Sequence, residues 1–228
     1  MHLLYIPMNR KETLWGLVIL AAVVLSSGMI PHTALTLTLY HGLLFLASGL
    51  VFRRFLAASA RIPLTPLSTV VKFALLGLVF AQLANLLTND LIFYFLPGYF
   101  RYGDTGPCFL NIRKELIAAC AAEHFPLTAL CLILFVPLWE ELLHRGLVFG
   151  TLVQKNLPLA YIIAAILYAL LPVIPLLGEY RADYLILSFI QYVPVSLMFC
   201  WIYTKSETIL TPVFAHMVMN AVSILTMR

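Results

Sequence analysis

The chain has 228 residues, 62% of them hydrophobic and 11% charged, with a mean hydropathy of +0.97. A soluble domain usually carries about 25% charged residues, so the composition excludes a water-soluble globular protein and indicates an integral membrane protein. The net charge of +4 does not imply a nucleic-acid partner, because the Lys and Arg residues stand singly or in pairs at the ends of apolar runs, as membrane anchors do.

Residues 1–12 form a short polar lead carrying Arg10 and Lys11. The apolar run over about residues 13–30 is long enough to span and lacks a small-residue cleavage motif, which predicts a retained anchor ended by Pro31. A second span is predicted over about 32–52, closed by Arg53 and Arg54. Residues 55–67 read as an interfacial stretch, where Pro63 and Pro66 prevent a long helix. The third span, about 68–88, has Lys72 near its start, where it can snorkel, and Asn85 near its end. Residues 89–124 are the least regular part. Phe93, Tyr94, Phe95, Tyr99, Phe100 and Tyr102 precede the turn Gly103-Asp-Thr-Gly-Pro107, and an amphipathic piece follows over about 111–123. That pattern fits an interfacial loop with an aromatic belt, serving as a surface anchor or, alternatively, as a lid.

The fourth span covers about 125–154 and is closed by Lys155 and Asn156-Leu-Pro158. The fifth, about 159–177, is interrupted by Pro172, expected to kink it, and by Pro175. The sixth and seventh cover about 184–203 and 207–226, with Ser206 as a candidate cap for the last. At roughly 20 residues per crossing, the reading is an all-α polytopic protein with about seven transmembrane helices. It divides into N-terminal helices with an interfacial loop (1–124) and a C-terminal four-helix core (125–228). The Lys and Arg bias of the loops favours a cytoplasmic N-terminus. The four cysteines, Cys108, Cys120, Cys131 and Cys200, show no C-x-x-C and no metal spacing.

The fourth span carries Glu140, Glu141, His144 and Arg145 within an apolar run. A charge at the bilayer centre costs roughly 2.5–3.5 kcal/mol, so three would cost roughly 8–10 kcal/mol unless paired or facing a protein-lined cavity. The ordinary meaning of such a cluster is a site. Helical residues four apart share a face, so Glu141 lies beneath Arg145 in the favourable order of acid before base. Glu140 lies beneath His144. The arrangement of lowest cost pairs Glu141 with Arg145 and leaves Glu140 as the chemically available carboxylate, suited to general-base work. On the last span, His216 and Asn220 are again four apart. They offer donors for an oxyanion, or simply bond a neighbouring helix.

Glu140-Glu141-x-x-x-Arg145-Gly146 followed by His216-x-x-x-Asn220 resembles the CAAX protease and bacteriocin-processing (CPBP, or Abi) family of intramembrane endopeptidases, over about residues 125–226. The resemblance implies that Glu140 activates water, that Glu141 and Arg145 hold and tune it, and that His216 and Asn220 form the oxyanion hole. It implies a peptide or membrane-associated protein as substrate, within a lipid bilayer and without nucleic acid. A bacterial plasma-membrane setting would suit a leader peptide or a bacteriocin-linked substrate. No His-Glu-x-x-His or other ligand set supports a metal, and no cofactor is expected. The family's second motif, Phe-x-x-x-His, has Tyr168 and Pro172 in its place here. Either His144 substitutes for the missing histidine in an active protease, or the chain is an inactive relative that binds a peptide or partner, as in bacteriocin self-immunity. A small transporter with an intramembrane acid pair is the third alternative. His32, His41 and His124 are read as interfacial, Glu123 and Asp90 as solvated loop charges, and Asn85 and Gln191 as candidate inter-helix hydrogen bonders. The sequence carries no oligomeric signal.

Overall fold

The computed structural model describes residues 8–30, 32–60, 66–96 and 112–226. The sequence expectations for Pro31, Pro63, the aromatics at 99, 100 and 102, the turn at 103–107 and Cys108 lie outside these residues. The described residues contain helices and no strand. Six of the helical stretches are long and apolar enough to cross a membrane, and a shorter apolar helix, Leu210–Thr226, completes the seven expected.

Local chemistry sets most helix starts. Helix α1 (Arg10–Ser26) opens with a reciprocal capping box between Asn9 and Glu12. The second Glu12 oxygen accepts from the backbone N–H of Phe55, tying α1 to the short α3 (Arg53–Ala60). Helix α2 (Ala34–Val51) is capped by Thr33, and its first N–H also donates to Glu123, 2.9 Å away. Glu123 is therefore a tertiary cap rather than a solvated loop charge.

Helix α4 (Leu67–Phe95) runs well beyond the boundary expected near residue 88. Its 29 residues span about 43 Å at 1.5 Å each. The polar side chains that suggested an end are consumed in the interior: Gln191 Nε2 donates to Asn85 Oδ1 at 3.2 Å and to Asn89 Oδ1 at 3.0 Å. The two candidate inter-helix bonders thus meet each other.

The central rod begins with α5 (Ile112–Leu130), broken at His124, where φ is −156° and ψ is 86°. Pro126 cannot donate a backbone bond, and the break falls where the fourth span was predicted to begin. The His124 ring accepts from Leu127 N–H, while the Thr128 hydroxyl bonds the carbonyls of Cys120 and His124 across the break. The rod continues as a π-turn (Cys131–Phe135), α6 (Val136–Glu141), a longer π-stretch (Leu142–Phe149) and α7 (Gly150–Val153). Every residue from 139 to 150 is buried, as in a helix enclosed by protein on all sides.

Helix α8 (Leu157–Leu170) starts at the Asn156 cap and stops two residues before Pro172. The proline therefore ends the helix instead of kinking it, and a single 3-10 turn (Ile174–Leu176) follows. Helix α9 (Ala182–Ser206) closes through Glu207 in the left-handed conformation (φ 56°). Helix α10 (Leu210–Thr226) completes the described fold. Ser206 belongs to the end of α9, bonding the Ile202 and Thr208 carbonyls, while the Thr208 hydroxyl accepts from Leu210 N–H at the start of α10. The expected cap thus lies two residues later.

Candidate functional site

The buried rod turns its four polar residues in different directions. Glu141 and Arg145 are fully buried and paired as their spacing suggests, with Nη1 donating to Oε1 and Nε 3.3 Å from Oε2. The Nε contact is an ion contact that lacks hydrogen-bond alignment. Arg145 Nη2 also donates to the carbonyl and hydroxyl of Ser196 on α9, both at 3.1 Å. Its guanidinium lies over Tyr168, 4.4 Å from the ring centroid, and 5.1 Å from that of Phe199. The cation is thus held by a carboxylate, a carbonyl and two aromatic faces. Gly146 follows because an added Cβ would lie 2.8 Å from Met8 Cε and 3.3 Å from Phe55.

His216 joins the two glutamates. Its Nδ1 is 2.9 Å from Glu141 Oε1, and its Nε2 is 3.9 Å from Glu140 Oε2. A carboxylate paired with Arg145 accepts hydrogen bonds and donates none, so the His216 proton resides on Nδ1. In the neutral ring, Nε2 then presents a lone pair towards Glu140. The 3.9 Å separation exceeds a direct hydrogen bond and suits a bridging water. Two acceptors would face such a water.

His144 is elsewhere. Its Nδ1 is 2.8 Å from the backbone carbonyl of Glu140, not from the carboxylate, and its buried Nε2 has no hydrogen-bond partner. The ring packs edge-on against Tyr168, 5.2 Å between centroids. It lines neither cavity at the site. The idea that His144 replaces the missing histidine does not fit this placement: helical spacing brings the ring to Glu140's main chain, while the Glu140 side chain leaves in another direction.

Asn220 donates from Nδ2 to the carbonyl of Leu132 at 2.8 Å. Leu132 lies in the π-turn Cys131–Phe135, so this bond secures α10 to the rod at an irregular turn. One amide proton expected for an oxyanion is thereby engaged.

The expected single cavity is two adjoining ones. Glu140, 9% exposed, lines a mainly apolar cavity of about 170 Å³ with α1, α2 and the end of α8. His216 and Asn220 line a more polar cavity of about 320 Å³ among α4, α9 and α10. Ile117, Leu132 and Tyr168 border both. Glu140 and His216 meet across this partition. Pro172 also lines the Glu140 cavity.

One polar residue at this cavity was misplaced by the sequence reading. His41 stands near the middle of α2, not at a membrane boundary, and lines the Glu140 cavity. Its Nδ1 accepts from Trp139 Nε1 at 3.2 Å, and the two rings stack at 5.7 Å. A histidine at the midpoint of an apolar span was the available signal. His32 also lines this cavity. Among the described residues, no three His, Cys, Asp or Glu side chains are arranged to hold a metal ion.

Residues 122–222 match the family model described as type II CAAX prenyl endopeptidase Rce1-like. No curated protein and no solved structure matches the chain.

Proposed function

We propose, from the premise that residues 122–222 form an Rce1-like region of the CPBP family, that the chain is an intramembrane endopeptidase in which Glu140 activates water. The observation that carries this reading is the 3.9 Å approach of His216 Nε2 to Glu140 Oε2 at the edge of a cavity. The Glu141–Arg145 pair lies directly behind it.

A water held between these two acceptors would turn its lone pairs towards a peptide carbonyl. Its oxygen bonds to the carbonyl carbon, and one proton passes to Glu140. The carbonyl π electrons move onto oxygen as the tetrahedral oxyanion. On collapse the oxyanion electrons re-form the carbonyl, the C–N bond breaks, and the Glu140 proton goes to the departing amine, giving an amine fragment and a carboxylic acid fragment that then loses its proton to solvent. Glu141 orients His216 through its bond to Nδ1, and Arg145 holds the Glu141 carboxylate in place from the other side. Val23, Ile30, Leu37 and Leu132 give the Glu140 cavity apolar walls. Such walls suit apolar residues of a small or membrane-associated polypeptide.

The test is cleavage of an internally quenched peptide by protein reconstituted in liposomes, using a farnesylated CAAX sequence and its unprenylated counterpart. Glu140→Gln is expected to lower the rate at least about 10²–10⁴-fold. Wild-type rates from that variant would sink the reading. Pro172 in the cavity wall favours a second reading, a peptide-binding pseudoprotease. It predicts that a photo-crosslinking version of the same peptide labels the wild type without being cut.

A further inference from the structure

We infer that Glu140 is served from the non-cytoplasmic side of the membrane, so that the peptide it cuts is a segment already carried across the bilayer. The cutting of that segment rests on the proposed hydrolysis, whereas the side from which the site is reached does not.

The two ends of the helix bundle differ in charge. At the end where α1 begins stand Arg10 and Lys11, Arg53 and Arg54 on α3, Lys72 in the second turn of α4, Lys155 after α7, and Lys205 in the last turn of α9. Contacts tie these termini together. Glu12 accepts from Phe55 N–H, and the hydroxyls of Tyr161, near the start of α8, and Thr204, near the end of α9, are 3.0 Å apart. At the opposite end, the described Lys and Arg residues are Arg113 and Lys114, which share the first turn of α5 with Glu115, and Arg181, paired with Asp183 at 2.9 Å. Termini and short loops rich in Lys and Arg stay in the cytoplasm, favoured by the membrane potential and the anionic inner leaflet. The start of α1 is therefore cytoplasmic, and the ends of α1, α4, α8 and α10 lie on the other side.

Both cavities belong to that outer end. Ser27, Ile30 and His32, at the turn between α1 and α2, line the Glu140 cavity together with Leu116 near the start of α5 and Pro172 and Leu176 beyond α8. The neighbouring cavity is bordered by Asn85 in the second half of α4, Gln191 in the first half of α9, and Ser223 and Thr226 at the close of α10. The cytoplasmic side of Glu140 is closed instead. Residues 141–150 of the rod are all buried, and no residue from 141 to 167 lines either cavity. Phe52 and Phe55, at the junction of α2 and α3, share a core cluster with Leu147, Phe149, Tyr203 and Ile209. Met8 Cε stands 2.8 Å from where a Cβ on Gly146 would lie. Charge and packing thus agree: water and peptide arrive from outside, and a translocation step must deliver the substrate segment before it is cut.

The experiment uses the full chain in right-side-out and inside-out membrane vesicles of an expressing bacterium. Lys155→Cys and Glu179→Cys mark the two ends, while Leu132→Cys and Ser223→Cys report on the cavities. A charged, membrane-impermeant methanethiosulfonate, read against the unsubstituted chain, should label Glu179→Cys and both cavity variants in right-side-out vesicles and leave them unlabelled in inside-out ones. Lys155→Cys should show the reverse. A highly charged, impermeant form of the quenched peptide should be cut by right-side-out vesicles alone. Cavity variants labelled from the inside-out vesicles, from both sides, or from neither overturn the inference, as does Glu179→Cys labelled only in inside-out vesicles. Cleavage confined to inside-out vesicles also overturns it and leaves the proposed hydrolysis standing. Labelling of the cavity variants from outside, with a wild type that cuts no peptide, removes the hydrolysis and supports the sidedness.

Discussion

At the scale of single residues, Arg145 is a fully buried cation tied to two other helical positions. It holds Glu141 and Ser196 together. Arg145→Met should destabilise the protein by about 3–5 kcal/mol, because it leaves the Glu141 carboxylate buried and uncompensated. Glu141→Met in the same molecule should recover most of that loss, since apolar replacement of a whole buried pair is often neutral. Thermal unfolding in detergent of the two single variants and the double separates these outcomes. His144 gives the opposite expectation. Its Nδ1 bond reaches only a main-chain carbonyl, and its Nε2 is buried without a partner. His144→Phe removes a hydrogen bond and an unsatisfied nitrogen together, so the two effects offset. Peptide cleavage by that variant should remain within about tenfold of wild type. A loss as large as that of Glu140→Gln would return His144 to the chemistry.

At the scale of elements, the site depends on irregular winding and on one close helix crossing. The π-stretches on either side of Val136–Glu141 are the kind of local departure that recurs at functional sites, and Asn220 bonds one of the carbonyls within them. Helix α4 meets α9 at Gly77, where an added Cβ would collide with Cδ1 and Cγ1 of Ile202. Ile202 packs in the same cluster as Ala215, the neighbour of His216. Gly77→Ala should therefore cost about 1–3 kcal/mol through overpacking. Ile202→Ala in the same chain should relieve the clash, giving a double variant more stable than the sum of the single losses predicts. Additive losses in thermal unfolding would show that Ile202 moves aside without strain.

At the scale of the molecule, the family-matched region does not enclose its own cavity. Val23, Ser27, Ile30 and His32 come from the α1 end and the turn after it, Leu37, Tyr40 and His41 from α2, and the other walls from residues 116–176. A fragment of residues 122–222 is thus expected to cleave no peptide even when inserted in liposomes. Co-expression with residues 1–121 should restore measurable cleavage if the two parts pack as they do in the whole chain. Activity in the fragment alone would show that α1 and α2 are dispensable walls.

The sequence by itself determined the membrane class, the number of spans and the pairing of Glu141 with Arg145. Each follows from short-range physics: apolar run length against the bilayer, and helical spacing of four between acid and base. The start of the fourth span near residue 125 coincides with the break at His124, beside Pro126. Only the tertiary structure decided which histidine approaches Glu140. Residues 140 and 216 lie on different helices, and a spacing rule within one helix cannot show which side chains meet across two. The same limit concealed His41, whose partner Trp139 is 98 residues away. It also hid the true end of α4, where Gln191 on α9 turns apparent boundary residues into interior contacts. Local pattern fixes what a helix is, whereas the proton-bearing side of a histidine is set by whatever the fold packs against it.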